Sequence, residues 1–533
     1  MAASIQAQVQ TQAQHAKEVE QAAASVPVRT REEWIGSSPH LPIVSDHLHG
    51  SIALKGLRFD DLTLAKYRET QDKDSKEVVL FSPLHDKDSY FAEFGWMPEA
   101  SVRIPDKDTV WTASGSALSP GQPVTLYWNN GAGITFSVAI SLDDKYMFTL
   151  TQSAKDAAGK PVPLQSYAYL NRAYDIHAHS SINILHEGPI SVLDGMLKEV
   201  TYKDISENKE QILPAEKSGW LGISDKYWFA SIIPPEAPFS ARIYSYYAAD
   251  GRERFQTEYS ANTPQPETTL HFFAGAKELP VLVDYASRYH IVLFDRAVDF
   301  GFFYFLTKPI FLLLNYFHGL VGNFGIAIML LTVVVKLLMF PLANKAFKSA
   351  NEMKEWMPKL KELQERYKDD LVKFNQERME LYKREKINPA AGCLPALIQF
   401  PVFFSLYKVL YVTLEMRQAP FFGWIQDLSL PDPTNVFTLF GLLHWHPPGL
   451  LHVGVWPLLM CLTMIIQQKQ SPVPPDPTQA KMIKYMPYFF LFLFSSVAAG
   501  LVIYWTWSNI LSILQQWTIR HLDAKAKRKK LAA

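Results

Sequence analysis

Residues 324–342 read FGIAIMLLTVVVKLLMFPL, an apolar run of helix length with a single charged side chain, Lys336. At about 1.5 Å per residue, a helix of this length approaches the roughly 30 Å hydrocarbon core of a bilayer. A lysine inside a membrane span costs roughly 2.5 to 3.5 kcal/mol on insertion scales, so it normally faces protein or water and marks a pathway. Lys336 is therefore the first candidate for a functional residue. The alternative is that Lys336 snorkels to the inner boundary of the membrane.

The two halves of the chain differ in composition, although the whole chain carries 52 basic and 52 acidic side chains, like an ordinary soluble protein. Residues 27–280 are polar and alternating, whereas residues 300–520 hold nearly all the long apolar runs. The cysteines, Cys393 and Cys461, both lie in those apolar runs. The sequence therefore indicates no disulfide framework in the first half and no redox role.

Residues 1–26 form an Ala/Gln-rich linker without the apolar core of a signal peptide or a spanning helix. A large N-terminal domain outside the membrane needs a segment ahead of it that starts translocation. Either that domain is cytoplasmic, or a first transmembrane helix is missing from this sequence.

Residues 27–280 have the pattern of a large β-sandwich. Short alternating runs rich in β-branched and aromatic residues, such as Ile134 to Ile140, are separated by turn signals such as Asn129-Asn130-Gly131. Three histidines of this domain lie close together in the sequence: His177, His179 and His186. Because no second ligand cluster follows at metal spacing, we interpret them as solvated or hydrogen-bonded side chains and expect no metal site.

Five membrane spans are predicted in the second half from the lengths of its apolar runs. They lie near residues 324–342, 393–413, 451–468, 485–499 and 500–518. The last two are short and are joined by Ser495 to Gly500, so we expect them to form a helical hairpin. Ahead of the first span, apolar and charged residues alternate over residues 288–300, and an apolar run interrupted by Pro309 follows. This pattern predicts an amphipathic helical region at the membrane interface over residues 281–323.

A second helical hairpin, outside the membrane, is predicted at residues 344–387. Apolar residues at helical spacing run from Met353 to Leu363 and from Leu371 to Leu381 among many charges, and Asp369-Asp370 marks the turn. A solvated spacer is the alternative. Lys and Arg are dense in this insert and after the last span, whereas the 414–450 loop offers only Arg417. The positive-inside rule then places the insert and the C-terminus in the cytoplasm and the β domain outside.

Polar residues inside the predicted spans indicate a wet interior of the helix bundle. Thr332 and Lys336 are four residues apart and share one helix face. Gln399 lies in the second span, and the pair Ser508-Asn509 lies in the last. An ordinary interhelical hydrogen bond is the alternative role for Gln399. Lys408, nearer the outer end of its span, is expected to snorkel.

A series of motifs covers most of residues 300–520. They are Val321-Gly322-Asn323-Phe324-Gly325, Asn388 to Pro395, Leu397 to Phe403, Leu414 to Phe421, Trp424 to Ser429, and Gly500 to Trp505 followed by Ser508-Asn509. Together they closely resemble the YidC/Oxa/Alb family of membrane protein insertases. The β domain matches that family mainly by its position.

The resemblance implies an α+β membrane protein, in which a periplasmic β-sandwich precedes a five-helix core with a hydrophilic groove open to cytoplasm and lipid. Lys336 stands where the family has its groove cation, usually an arginine, and lacks the planar fork of that side chain. Thr332 and Gln399 match polar groove positions. Phe403 lies on the apolar slide for the incoming helix, and Trp505 replaces a position often held by tyrosine.

The implied function is to insert and help fold integral membrane proteins in the bacterial inner membrane, without enzymatic chemistry, cofactor or metal. The implied partners are nascent membrane proteins, the Sec translocon, the ribosome and the lipid bilayer. The basic tail, residues 521–533, predicts a contact with ribosomal RNA by phosphate neutralisation, or only attraction to anionic lipids. Its basic residues are Lys525, Lys527, Arg528, Lys529 and Lys530.

Two other classes of protein remain open at this point. A solute transporter or channel would also use a cation inside the membrane, but the sequence shows no paired broken repeats. A sugar-acting enzyme with a membrane anchor would account for the β domain. However, the sequence places no His/carboxylate constellation together there, and a fold does not imply an activity.

Overall fold

The structure, a computed structural model, describes residues 30–532 apart from 73, 85, 177–184, 249, 369, 386–393, 444–451 and 471–476. His177 and His179 lie outside the described residues, as does most of the predicted motif at 388–395. The chain divides into two compact units, Met1–Asp299 and Phe300–Ala533. Each unit has its own architecture.

The first sheet of the N-terminal unit has nine strands within the described residues. They are β1 (His40–Val44), β2 (Leu48–Ala53), β3 (Arg58–Arg68), β4 (Glu77–Phe81), β5 (Tyr90–Trp96), β10 (Ser166–Ala173), β13 (Glu210–Ala215), β16 (Phe239–Tyr247) and β17 (Glu253–Ala261). Their spatial order is β1-β2-β3-β5-β10-β17-β16-β13, and β4 pairs with β3. All these pairs are antiparallel.

The second sheet also has nine strands in the part of the chain that the structure describes. They are β6 (Thr112–Ala113), β7 (Val124–Asn129), β8 (Thr135–Leu142), β9 (Met147–Lys155), β11 (Gly188–Leu193), β12 (Met196–Glu199), β14 (Gly219–Ser224), β15 (Trp228–Ile233) and β18 (Glu267–Ala276). Their order is β12-β11-β14-β15-β18-β9-β8-β7-β6, again with antiparallel pairing.

The two sheets pack face to face over an aromatic core. Along β8, every second side chain is buried, which is the alternation read from the sequence. The ring of Phe59 on β3 lies 5.1 Å from that of Phe148 on β9 and 5.3 Å from that of Phe272 on β18, measured between centroids. Aromatic side chains of both sheets thus meet in one core, and the predicted β-sandwich is confirmed.

Among its described residues, the N-terminal unit also has the α-helices α1 (Arg31–Ile35), α2 (Tyr202–Asn208) and α3 (Leu279–Arg288). The first two begin with capping boxes, in which Thr30 pairs with Glu33 and Thr201 with Asp204. In α3, the Tyr285 hydroxyl donates to Asp143 Oδ2 at 2.6 Å, so this helix packs on the sandwich. The first part of the predicted interfacial region, 281–323, therefore belongs to the β unit.

The C-terminal unit is helical. Its helices are α4 (Tyr304–Val321), α5 (Phe324–Arg366), α6 (Leu371–Arg384), α7 (Leu394–Val412), α8 (Val455–Gln470), α9 (Pro477–Phe494) and α10 (Ala499–Ala532). The five predicted spans fall on α5, α7, α8, α9 and α10. Within the described residues, one helical stretch, Phe324–Lys345, is long and apolar enough to cross a membrane by length and composition. Membrane crossing by the other helices stays a prediction.

The first span continues without a break into the predicted hairpin. The sequence predicts a span that ends at Leu342, but α5 runs on to Arg366 with Pro341 and Pro358 inside it. Residues 343–353 contain no glycine and are rich in Ala and Lys, which favour helix, so nothing there ends it. The last turns of α5 and α6 then pack together through Leu360, Leu381 and Tyr382.

The loop between α7 and α8 packs on the N-terminal ends of three helices. The N–H groups of Ala499 and Gly500, which begin α10, donate to the carbonyl oxygens of Leu430 at 2.7 Å and Leu428 at 3.0 Å. Trp456 at the start of α8 donates its N–H to Asp432 Oδ2 at 2.9 Å. Asn323, the N-cap of α5, donates its side-chain amide to Pro420 O at 3.4 Å. The loop thus satisfies helix-end donors that would otherwise lack partners.

Candidate functional site

Lys336 lies on α5, and its ammonium group reaches two other helices. Its Nζ donates to Ser512 Oγ on α10 at 2.9 Å and to Gln399 Oε1 on α7 at 3.5 Å. Both acceptors are neutral, and no ion pair between Lys336 and a carboxylate occurs among the residues that the structure describes. The side chain is half-buried. The bundle therefore holds one positive charge between three helices without cancelling it.

Gln399 is held from its other side by Tyr504. Gln399 Nε2 donates to the Tyr504 hydroxyl on α10, and Tyr504 is only 2% exposed. Because the amide nitrogen is engaged there, the amide oxygen faces Lys336. Gln399 thus makes the interhelical hydrogen bond that was considered as its alternative role. The same side chain also contacts the Lys336 ammonium. The two roles are therefore compatible.

A polar stripe runs along one face of α10. Its members are Tyr504, Ser508, Ser512 and Gln516, each four residues from the next, and each at most 6% exposed. Residues at this spacing share a helix face. Of these residues, only Ser508 was predicted as a polar side chain of the bundle interior. Tyr504 and Ser512 were not, although polar residues spaced four apart in an apolar helix indicate a shared polar face.

Thr332 lies one turn from Lys336 on α5, but its hydroxyl is used locally. It is 1% exposed, and Oγ1 donates to the carbonyl oxygen of Ile328 at 2.6 Å. Such a bond to the carbonyl four residues back satisfies a hydroxyl inside a helix. The structure therefore places Thr332 on the predicted face without bringing its hydroxyl to Lys336 or Gln399.

Phe403 and Trp505 meet in an aromatic cluster of three helices. Their rings are 4.8 Å apart between centroids, and Trp505 also lies 5.1 Å from Phe494 and 5.9 Å from Phe490 on α9. Phe403 follows Gln399 by one turn of α7, and Trp505 follows Tyr504 directly on α10. An apolar surface thus adjoins the polar contacts of Lys336.

The remaining predicted residues lie elsewhere. The backbone of residues 525–530, the basic tail, continues α10, and the side chains of these residues are outside what the structure describes. His186 Nε2–H donates to Pro189 O at 3.1 Å, and burial lowers the pKa of His186 to about 4. In the part of the chain that the structure describes, no group of three or more His, Cys, Asp or Glu side chains is arranged to hold a metal ion.

Comparisons with known proteins identify the family of both units. Residues 316–527 match the 60Kd inner membrane protein family, and residues 40–313 match the YidC periplasmic domain family. The membrane protein insertase YidC of Rickettsia bellii is 49% identical over 91% of this chain and 88% of its own length. The chain belongs to the YidC family of membrane protein insertases. The predicted family is confirmed, and the matches give no support to a transporter or channel.

Two further likenesses are at the level of whole structures. An active YidC insertase, whose crystal structure resolves the first transmembrane domain, covers 90% of this chain and 92% of its own at 16% identity and a TM-score of 0.36. A putative aldose 1-epimerase from Escherichia coli covers 45% of this chain at 10% identity and a TM-score of 0.28. Assignment to the YidC family rests on the sequence matches alone.

Proposed function

We propose that this YidC-family protein inserts membrane proteins through a hydrophilic groove whose cation is Lys336. The observation that supports this most directly is the placement of the Lys336 ammonium between α5, α7 and α10, with neutral partners only among the described residues. A charge held in this way is available to an anionic group of an incoming chain. Thr332, Gln399, Phe403 and Trp505 line the same region of the bundle in this proposal.

The groove works by lowering the desolvation cost of a short polar segment. Such a segment, next to an apolar helix of the substrate, enters the groove, where water and Lys336 replace part of its hydration. The apolar helix slides along the aromatic cluster of α7, α9 and α10 into lipid. Burial of its apolar surface, worth roughly 25 cal/mol per Å², drives the process, and no covalent bond is made or broken.

The topology in this proposal follows the distribution of Lys and Arg. The α5–α6 hairpin and the C-terminus of α10 lie in the cytoplasm, and the β-sandwich lies on the outer side of the inner membrane. The 413–454 loop then lies at the outer end of the bundle. Its contacts with the ends of α5, α8 and α10 are consistent with a groove that is closed on that side.

The partners in this proposal follow from the same arrangement. Nascent membrane proteins are the substrates, either directly or with the Sec translocon. The basic tail, Lys525 to Lys530, contacts ribosomal RNA by neutralising phosphates, which would make the contact weaken steeply with salt. Attraction of the same residues to anionic lipids is the competing explanation, and vesicles without anionic lipid would separate the two.

The experiment that tests the groove charge compares Lys336 variants with a matched lysine. We expect Lys336→Arg to retain insertion, and Lys336→Ala to reduce it by roughly tenfold for substrates with acidic translocated tails. Neutral tails should be affected less, since they make no charged contact. Lys408→Ala is the control, because Lys408 lies on α7 outside these contacts. Protease protection of the tail in liposomes measures each case.

Equal insertion of acidic and neutral tails by Lys336→Ala would contradict the electrostatic role of the groove. Equal losses of insertion with Lys336→Ala and Lys408→Ala would contradict this role as well. Removal of any lysine from the bundle would then explain the loss.

A further inference from the structure

We infer that Ser512 and Tyr504 are positioning residues that hold the Lys336 ammonium at one point between the helices, and thereby make the groove select tails that carry carboxylates. This inference rests on the proposed function. In this inference, neither residue contacts a substrate. Each acts through Lys336, Ser512 directly and Tyr504 by way of Gln399.

Ser512 presents an acceptor, and only an acceptor, to Lys336. Its hydroxyl donates to the carbonyl oxygen of Ser508 at 2.9 Å, so its one proton is already committed. The lone pairs of Oγ are left for the ammonium group at 2.9 Å. Ser512 is 5% exposed, so water competes little for this contact. The polar stripe of α10 thus fixes the depth at which the charge lies.

Tyr504 fixes the orientation of the second acceptor. The Gln399 amide has one donor end and one acceptor end, and a turned amide would direct its N–H groups at the ammonium. The Tyr504 hydroxyl accepts from Gln399 Nε2 and so holds the amide with its oxygen toward Lys336. Tyr504 is buried on the same stripe as Ser512. Two residues of α10 therefore control both partners of the cation.

The arrangement leaves one N–H of Lys336 without a partner within the described residues. An ammonium group has three donors, and Ser512 and Gln399 accept two of them. A lysine is a point charge, whereas arginine binds a carboxylate through two parallel bonds. The expected ligand is therefore one carboxylate oxygen at a time, from an Asp or Glu in the short segment that crosses the membrane.

The test uses the full chain in liposomes and pairs of single-spanning substrates. Each pair shares one apolar helix and differs only in Asp or Asn at the same positions of the translocated tail. The quantity measured is the ratio of Asp-tail to Asn-tail insertion by protease protection. A loss of folding would lower both members of a pair, so the ratio separates positioning from stability.

Four variants are compared with the unaltered chain. Ser512→Ala and Tyr504→Phe should lower the ratio roughly three- to tenfold, as expected for losing a hydrogen bond to a charged group or its support. Ser512→Thr should restore it, since the hydroxyl is kept. Thr506→Ala is the matched control on α10: its hydroxyl is also buried and bonded four residues back, at 2.8 Å to Val502 O, and Lys336 is not its partner. It should leave the ratio unchanged.

A final combination locates the effect at the cation. In a Lys336→Ala background, adding Ser512→Ala should cause no further change of the ratio. The inference is overturned if Ser512→Ala and Thr506→Ala change the ratio equally, or if the Ser512 effect persists without Lys336. It is also overturned if the unaltered chain inserts both tails equally. Absence of any insertion by the unaltered chain would instead contradict the proposed function itself.

Discussion

Gly325 marks a close approach between the start of α5 and the loop that follows α7. A Cβ atom at this position would overlap the ring of Phe421. We expect Gly325→Ala to lower stability by about 1–3 kcal/mol, because overpacking forces the ring or the backbone to move. Thermal unfolding of the full chain in detergent measures the change.

Gly319 on α4 provides the control for this substitution, since a Cβ atom there meets nothing within 4 Å. Gly319→Ala should be neutral or slightly stabilising, because alanine favours helix more than glycine does. Phe421→Leu should recover part of the loss in Gly325→Ala. Equal effects of the two glycine substitutions would show that the Phe421 contact is not the cause.

Lys277 is a buried cation of the β-sandwich, 2% exposed, whose Nζ donates to Ser224 Oγ at 3.1 Å. Burial lowers its pKa from 10.5 to about 8, against the attraction of Asp225 and Asp299. The unfolded chain therefore binds more protons than the folded one between pH 8 and 10.5. The Lys277 contribution to stability then rises across that window, by on the order of 3 kcal/mol, and is flat below it.

Lys277→Met should remove this rise and stabilise the sandwich at neutral pH. Urea unfolding of the full chain at pH 7.5 and pH 9.5, followed through the β signal of circular dichroism, measures the difference. Lys160→Met, at an exposed lysine, should leave the pH dependence as it is. A pH-dependent rise that survives in Lys277→Met would have to come from another group.

Individual site residues were predictable to different degrees. Lys336 and Gln399 were found because a charge or an amide is costly in an apolar helix. Their contact with each other was not predicted, because it depends on how α5 and α7 pack. Thr332 was assigned to the groove by its helix face, but a hydroxyl can satisfy itself on its own backbone. Ser512 was missed because serine alone is a weak signal in an apolar run.

At the scale of elements, the 413–454 loop is held by Asp432. This carboxylate is 2% exposed and accepts from Trp424 Nε1 at 3.1 Å, Thr434 Oγ1 at 2.7 Å and Trp456 N at 2.9 Å. Trp456 lies in the first turn of α8, where a negative charge also meets the positive end of the helix dipole. Asp432 thus joins the loop to the start of a helix.

Asp432→Ala should lower the stability of the helical unit by about 2 kcal/mol or more, since it removes a cap and leaves buried donors unpaired. Denaturant unfolding in detergent measures the loss. Asp427→Ala is the matched control, because Asp427 lies in the same loop and, among the described residues, bonds only within it, at Ser429. A similar loss in both variants would mean that capping of α8 is not the cause.

Element boundaries followed from the sequence where a strong breaker was present. The predicted turn at Ser495 to Gly500 falls between α9 and α10, which residues 495–498 separate. The predicted first span, 324–342, lies within a helix that is longer than the span, because hydropathy marks where a helix leaves apolar surroundings and not where its backbone ends. The α5 helix continues from apolar to charged residues without a helix-breaking sequence between them.

At the scale of the whole molecule, the division into a β unit and a helical unit was readable from composition alone. Alternation of apolar and polar residues with period two predicted the β-sandwich, and the long apolar runs predicted the helical bundle. The pairing order of the eighteen described strands was not readable, because it depends on contacts between residues far apart in the chain. The family resemblance added the groove, which neither periodicity nor charge counts locate.

Insertion by this protein is tested by reconstitution of the purified chain into liposomes with a short single-spanning substrate. Protease protection of the translocated tail is scored with and without the protein. We expect protection that depends on the protein and increases with its amount in the membrane. The same protected fraction in empty liposomes and in liposomes that contain the chain would contradict insertion by this protein.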